Sequence, residues 1–293
     1  MTEPDDLYTL RAQFWLGHYQ MAIEEAKSIA RRPMPPNLKA EREEFLSRSL
    51  IASGQQEKAT AMTDTPALQA LALKAQFELA VGSEEAQTLL VDQLKSLAMS
   101  NPIPSIQLTT AQVLLAAGQT KEALQQVYLG ATMDHISMIL QIYLKLDRLD
   151  LAKQQYNMLR QADEDAILTQ LAQVYTSLAS GSTGAADALH ALNSLTEQYG
   201  ASPLLLNLTA VGLMSQGDFA GAQSKLEECL RDFSEVVMIP DTLINLITCT
   251  VQQNKSADEL VSQMKDQFPA HSFCAGLDRV VSAFERESIK YRV

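Results

Sequence analysis

Apolar positions recur along most of this chain at intervals of three and four residues, the spacing that places side chains on one face of an α-helix. Near the start, Leu7, Leu10 and Phe14 share one such face. No stretch shows the sustained alternation of apolar and polar residues that is typical of a half-buried β-strand. The pattern therefore predicts an all-α fold.

A turn residue followed five positions later by an alanine separates two helical segments at several places. The pairs are Gly17/Ala22, Gly54/Ala59, Gly118/Ala123, Asp147/Ala152 and Gly217/Ala222. Glycine ends a helix easily in a left-handed conformation, and a small alanine lets two helices cross closely. The wider gaps leave room for weaker copies, one turning at Gly82 and one at 180–184. A recurrence near 34 residues is the period of the tetratricopeptide helix-turn-helix repeat.

These repeats predict a right-handed α-solenoid that forms one domain over residues 1–293, with about eight tetratricopeptide-like helix pairs. Proline-containing breaks at 31–37, 63–66 and 101–104 separate the early pairs. A last helix over 273–291 is expected to cap the array, because its apolar face would cover the final repeat. That face carries Leu277, Val280, Val281 and Phe284.

Charge and composition exclude several classes of partner. The net charge of −12 disfavours nucleic acids and direct contact with an anionic membrane surface, both of which need a basic face. The segment from Met1 to Asp6 carries three acidic residues, where a secretory signal would carry basic and then apolar ones. No apolar run in the sequence is long enough to span a membrane. Three cysteines without C-x-x-C spacing indicate free thiols in a reducing cytosol.

The sequence offers no candidate catalytic, cofactor or metal site. The four histidines are scattered without the spacing of metal ligands, and His18 is expected to be a solvent-exposed turn residue. The segment 181–184 lacks the lysine that a phosphate-binding loop requires. Trp15 is expected to be a core residue. We therefore predict a binding protein that is not an enzyme and has no cofactor.

Tetratricopeptide arrays turn the first helix of each pair toward a concave groove, and a partner is expected to bind there. The groove residues predicted from this phase are Gln112, Gln141, Lys145, Tyr175, Asn207, Val211 and Asn245. For Asn207 and Asn245 the alternative is a side chain that forms only local hydrogen bonds.

Several stretches resemble the epsilon-subunit family of coatomer, the coat of COPI vesicles. The turn at 14–20 is similar to the first repeat of that family. The blocks 145–172 and 202–246 carry the most specific similarity. The chain departs from the family pattern at 180–186 and at 289–293.

The resemblance implies a function without catalysis. Members of the family are helical repeat proteins that curl around the C-terminal region of the coatomer alpha subunit. They belong to the coat that carries cargo from the Golgi to the endoplasmic reticulum and within the Golgi. A cytoplasmic protein that lies on Golgi membranes and COPI vesicles only through the coat is therefore expected.

Two other classes of protein remain as alternatives. A tetratricopeptide cochaperone or adaptor that grips acidic peptide tails would need a basic lining, and the lining positions of the first two repeats fit poorly. Those positions hold Leu7, Arg11, Glu44 and Arg48. A helical-repeat enzyme subunit, such as one of a prenyl transfer complex, would need a metal or acid/base set that the sequence does not show. The proteins that co-purify with the chain would distinguish the three classes.

Overall fold

The computed structural model describes residues 5–233 and 240–291, and these residues form seventeen α-helices and no β-strand. Most of the acidic N-terminal segment (1–4) and the last two residues (292–293) lie outside the described ranges. The helices are α1 Tyr8–Trp15, α2 Tyr19–Ser28, α3 Pro36–Ala52, α4 Gln56–Thr60, α5 Pro66–Leu79, α6 Glu84–Ser100, α7 Pro104–Ala116, α8 Thr120–Val127, α9 Met133–Lys145, α10 Leu149–Ala162, α11 Ile167–Ala179, α12 Ser182–Tyr199, α13 Pro203–Ser215, α14 Phe219–Asp232, α15 Pro240–Gln252, α16 Asp258–Gln267 and α17 Ser272–Ser288. Short 3-10 turns follow α2, at Ile29–Arg31, and α17, at Ile289–Tyr291.

The first sixteen helices form eight successive pairs, which we call repeats one to eight, and α17 follows the last pair. Each pair packs on the next, and clusters of buried apolar residues fill the junctions between neighbouring repeats. Several first helices begin at a proline, as at Pro66 and Pro104, where the missing N–H costs no hydrogen bond. The predicted all-helical solenoid is confirmed over the described residues.

Backbone conformation at the turns confirms the repeat pattern. A residue with positive φ follows the first helix of all eight pairs: Gly17, Gly54, Gly82, Gly118, Asp147, Gly181, Gly217 and Asn254. The five pattern alanines are fully buried between helices: Ala22, Ala59, Ala123, Ala152 and Ala222. The long turn expected at 180–184 is wrong, because α12 already begins at Ser182 and Gly181 alone reverses the chain.

The ends of the first six repeats meet, which closes this part of the solenoid into a ring. The Ser202 hydroxyl donates a buried hydrogen bond of 2.5 Å to the carbonyl oxygen of Leu16. The hydroxyls of Tyr8 and Tyr199 lie 2.9 Å apart. Leu16 also packs in one apolar cluster with residues of α11, α12 and α13. We call this junction the seam; repeats seven and eight continue beyond it.

The seam partly covers the side chain of His18. This side chain is half-buried, and its Nε2 atom is buried without a hydrogen-bond partner among the described residues. Burial lowers the pKa of the imidazole, so the neutral form is favoured. The expected solvent-exposed position is therefore wrong, because the first turn is covered by the returning chain.

The last helix only partly behaves as the expected cap. Phe273 and Cys274, in its first turn, pack into the core of repeat eight. Further along, Val280 is 63% exposed and Phe284 is 73% exposed, so the apolar face continues past the repeat that it was expected to cover. The prediction that this whole face is buried is wrong, because α17 extends beyond the surface offered by α15 and α16.

Substitutions in repeat seven test the turn and crossing positions directly. Gly217 has a φ of +83°, so we expect Gly217→Val to lower the unfolding free energy by about 1–2 kcal/mol. Ala222 is fully buried, and Ala222→Leu is expected to cost about 1–3 kcal/mol through overpacking. Urea unfolding followed by circular dichroism measures both. Parent-like stability of both variants would contradict the assigned repeat phase.

The control for these variants must be a helical glycine with free space around it. Gly212 and Gly221 are unsuitable, because an added Cβ would lie 2.9 Å from a side-chain carbon of Leu189 and 2.3 Å from a carboxylate oxygen of Asp218, respectively. Gly276 in α17 has no atom within 4 Å of such a Cβ. Gly276→Ala is therefore expected to be neutral or stabilising by up to about 1 kcal/mol.

Candidate partner-binding cavity

A cavity of about 220 Å³ lies inside the ring, and its walls come mainly from first helices of the repeats. The helices α1, α3, α7, α9, α11 and α13 all contribute side chains. The first helices therefore face the concave side, as the tetratricopeptide phase predicts. Closure of the seam brings α1 and α13 to the cavity beside the middle repeats, and the cavity stays partly open to solvent.

Aromatic side chains of the first repeat form one wall, and Phe45 of the second repeat packs behind them. The ring centroid of Phe14 lies 4.9 Å from that of Trp15 and 5.3 Å from that of Phe45, both in edge-to-face geometry. The Arg48 guanidinium carbon lies 5.1 Å from the Phe45 ring centroid. Trp15 thus serves both the core and the cavity, and this wall offers apolar contact next to one cation.

Hydrogen-bonding groups from α7 and α9 also line the cavity. Gln112 on α7 and Gln141 on α9 are exposed in the cavity, and the Gln112 amide oxygen accepts a hydrogen bond of 2.9 Å from the Lys74 amine. The Ser137 hydroxyl also lines the cavity, and its oxygen is buried without a partner among the described residues. Buried polar atoms are normally paired, so this hydroxyl offers a hydrogen bond to a bound segment.

The charge of the lining is nearly balanced. Among the described lining residues, Arg48 and Asp134 are the charged ones. Burial raises the pKa of Tyr175 to about 12, so its hydroxyl is neutral at physiological pH. Burial also raises the pKa of Glu44, which lies 3.5 Å from Arg48. This lining fits an uncharged, partly apolar segment better than an acidic tail or a phosphate group.

The structure brings three of the predicted groove residues together. Gln112, Gln141 and Tyr175 all line the cavity. Lys145, at the end of α9, is exposed outside this lining, and its amine donates to the carbonyl oxygen of Leu115 at 3.1 Å. Val211 is half-buried on α13, outside the lining.

The groove position predicted for Asn207 is wrong. This side chain is 8% exposed, and its amide nitrogen donates to the Thr242 hydroxyl at 2.8 Å. The Asn245 amide nitrogen donates to the Asn207 oxygen at 3.2 Å. The alternative of only local hydrogen bonds does not hold either, because these bonds join repeat seven to repeat eight.

The predicted set lacks most of the lining, including Trp15, Asp134 and Ser137. Arg48, which was expected at a lining position of the second repeat, does line the cavity. Helical spacing carries a signal for Ser137, which lies one turn before Gln141 on α9 and therefore on the same face. The aromatic wall has no comparable signal, because a tryptophan at helical spacing is as compatible with a core as with a cavity.

The described residues show neither a metal-ion cluster nor a membrane-spanning helix. No group of three or more histidine, cysteine, aspartate or glutamate side chains within residues 5–233 and 240–291 is arranged to hold a metal ion. Within the same ranges, no helix combines the length and the apolar content needed to span a bilayer.

Solved structures of low sequence identity share the fold. A tetratricopeptide repeat protein from Parabacteroides merdae superposes with a TM-score of 0.56 at 14% identity, covering 85% of this chain and 93% of that one. The structure of the APC/C hetero-tetramer Cut9-Hcn1 gives a TM-score of 0.61 at 10% identity, covering 93% of this chain and 54% of that one. At these identities the likeness shows the fold alone, and it confirms the tetratricopeptide-like architecture.

Proteins of similar sequence identify the family as well as the fold. Coatomer subunit epsilon-2 of Oryza sativa subsp. indica is 34% identical over 291 residues, which cover 97% of this chain and 96% of that protein. Coatomer subunit epsilon of Dictyostelium discoideum is 29% identical over 293 residues, covering 96% and 97%. The sequence model described as coatomer epsilon subunit matches residues 3–292. The resemblance seen in the sequence is confirmed, and the chain belongs to the coatomer epsilon subunit family.

Proposed function

We propose that this chain is a non-catalytic structural subunit of the COPI coat, which holds a segment of the C-terminal region of the coatomer alpha subunit inside its ring. In this role it stabilises the coat during Golgi-to-endoplasmic-reticulum and intra-Golgi transport. It is cytoplasmic and reaches Golgi membranes and vesicles only through the assembled coat.

The cavity lined by first helices is the observation that carries this proposal. A segment that lies in it loses solvent from much of its surface, so a few contacts give specific binding. The aromatic wall supplies apolar contact, while Gln112, Gln141 and Ser137 supply hydrogen bonds to backbone groups. The mixed lining offers little to an acidic C-terminal tail, which disfavours the cochaperone alternative.

Two glutamines provide the test of the cavity. We expect the Gln112→Ala/Gln141→Ala variant to bind the recombinant C-terminal region of the alpha subunit about tenfold more weakly, because two hydrogen bonds of roughly 0.5–1.5 kcal/mol each are lost. Isothermal titration calorimetry measures the affinity. Trp15 is the single tryptophan and lines the cavity, so its fluorescence reports occupancy independently.

The matched control uses glutamines on the second helices of the same two repeats. Gln125 on α8 and Gln154 on α10 are exposed and lie outside the cavity lining. The Gln125→Ala/Gln154→Ala variant should bind like the parent. Equal affinity of the cavity variant and this control would place the interface elsewhere on the protein. Absence of any binding by the parent would refute the proposed partner.

A further inference from the structure

The exposed end of α17 is a second candidate interaction surface, and it follows repeats seven and eight, which lie outside the ring. Helical spacing places Leu277, Val280, Val281 and Phe284 on one face of this helix. Three of these side chains are exposed: Val280 by 63%, Val281 by 46% and Phe284 by 73%. Contiguous exposed apolar residues of this kind mark binding surfaces in soluble proteins.

The packing of the array indicates which kind of element covers this face. A helix inside a solenoid contacts neighbouring helices on both sides. The start of α17 has its inner neighbour, since Phe273 and Cys274 pack into repeat eight and the Lys265 amine lies 2.6 Å from the Asp278 carboxylate. The later turns of α17 lack such a neighbour among the described residues, so the shape that fits there is another helix.

Charges around the face favour a basic partner. On the helical wheel, Glu285 and Glu287 are the charged residues nearest to the two edges of the apolar face, and Glu287 is already paired with Lys290 at 2.6 Å. Arg279 and Arg286 lie on the opposite side of the helix. A partner helix whose apolar stripe is flanked by Lys or Arg would place an opposite charge beside Glu285 on one edge and would share Glu287 with Lys290 on the other.

The same charges disfavour two other occupants. Two copies of α17 packed against each other would offer Glu285 no cation on the facing helix edge. A membrane surface with anionic lipids would repel Glu285 and the chain as a whole, whose net charge is −12.

We propose that the exposed face of α17 binds an amphipathic helix of another protein, in which the apolar stripe is flanked by lysine or arginine. This site is separate from the cavity inside the ring, and occupation of one does not depend on the other. It gives a coat subunit a second attachment point to a neighbouring protein.

Two synthetic helical peptides of equal length provide the probe. Both carry the same leucine stripe, flanked by lysine in one and by glutamate in the other, and fluorescence anisotropy measures their binding to the full chain. We expect the lysine-flanked peptide to bind the parent at least about tenfold more tightly than the glutamate-flanked peptide. Equal binding of the two peptides would overturn the charge argument.

The Phe284→Asp variant separates specific docking from simple charge attraction. It is expected to weaken binding of the lysine-flanked peptide at least about tenfold, because a central aromatic contact is lost. Non-specific attraction of a cationic peptide would instead increase, since the variant gains a negative charge. Leu129→Asp is the matched control, because Leu129 is a 92% exposed residue after α8 and should leave binding unchanged or slightly stronger.

Three further results would overturn the proposal. One is parent-like peptide binding by Phe284→Asp. Another is a dimer of the parent in analytical ultracentrifugation that Phe284→Asp converts to a monomer, which would make a second copy the occupant. The third is co-sedimentation of the parent, but not of the variant, with phosphatidylcholine/phosphatidylserine vesicles. Unchanged circular dichroism of Phe284→Asp verifies its folding, and its affinity for the alpha-subunit region should equal that of the parent.

Discussion

Replacement of Gly17 by alanine is expected to lower the unfolding free energy by about 2–5 kcal/mol, more than alanine at any other turn glycine discussed above. Two costs combine at this position. Gly17 has a φ of +82°, which an alanine adopts only with strain. An added Cβ would also lie 2.8 Å from the Cβ of Leu204, on the other side of the seam. Neither the Gly17 turn nor the start of α13 can move away without opening the ring.

Substitution of Gly217 measures the backbone cost alone, because Gly217 has nearly the same φ as Gly17 but no neighbouring side chain. Its φ is +83°, and no atom lies within 4 Å of a Cβ built there. Gly217→Ala should therefore cost only about 1–2 kcal/mol in urea unfolding. Equal losses for the two variants would show that Gly17 and Leu204 are not in contact in solution, and the closed ring would lose its main support.

Asn207→Asp is expected to cost about 3–5 kcal/mol at neutral pH, although the side chain keeps its size. The amide nitrogen of Asn207 donates to the carbonyl oxygen of Pro203 and to the Thr242 hydroxyl, each at 2.8 Å. A carboxylate has no donor for the Pro203 carbonyl oxygen and would place a buried negative charge beside it. Chemical denaturation measures the loss.

The pH dependence of this variant identifies the cause. Burial raises the pKa of the new carboxyl in the folded state above its unfolded value of about 3.9. The destabilisation should therefore grow as pH rises from about 3.9 through the folded pKa, and shrink again on acidification, relative to the parent. Asn157→Asp on the exposed surface of α10 is the control, expected within about 0.5 kcal/mol of the parent. A pH-independent loss would indicate altered packing instead of a buried charge.

The repeat pattern predicted most of the fold because its signals are local. The positive φ at Gly118 and Asp147 and the full burial of Ala123 and Ala152 follow from turn geometry and helix crossing, which involve residues close in sequence. The Ser83 side chain likewise accepts from the Ala86 N–H, as an N-terminal cap does.

The candidate site was only partly predictable, because a helix face shows which side is concave but not how far the groove extends. Gln112, Gln141 and Tyr175 lie in the cavity as predicted. Asn207 and Asn245 lie on the corresponding helices of later repeats, yet they bond to each other beyond the seam. Sequence spacing predicts the same groove position in every repeat, whereas only some of the repeats line the cavity.

The sequence by itself therefore determined the helices, the turns that join them and the family to which they belong, since these depend on nearby residues and on specific blocks such as 145–172. The tertiary structure decided where Gly17 meets Leu204, why Asn207 is buried and why Phe284 is exposed. The contact between Gly17 and Leu204 depends on the rotation that accumulates from one repeat to the next, a small angle that no single repeat encodes. The positions of Asn207 and Phe284 depend on how α15 and α17 pack against the helices next to them.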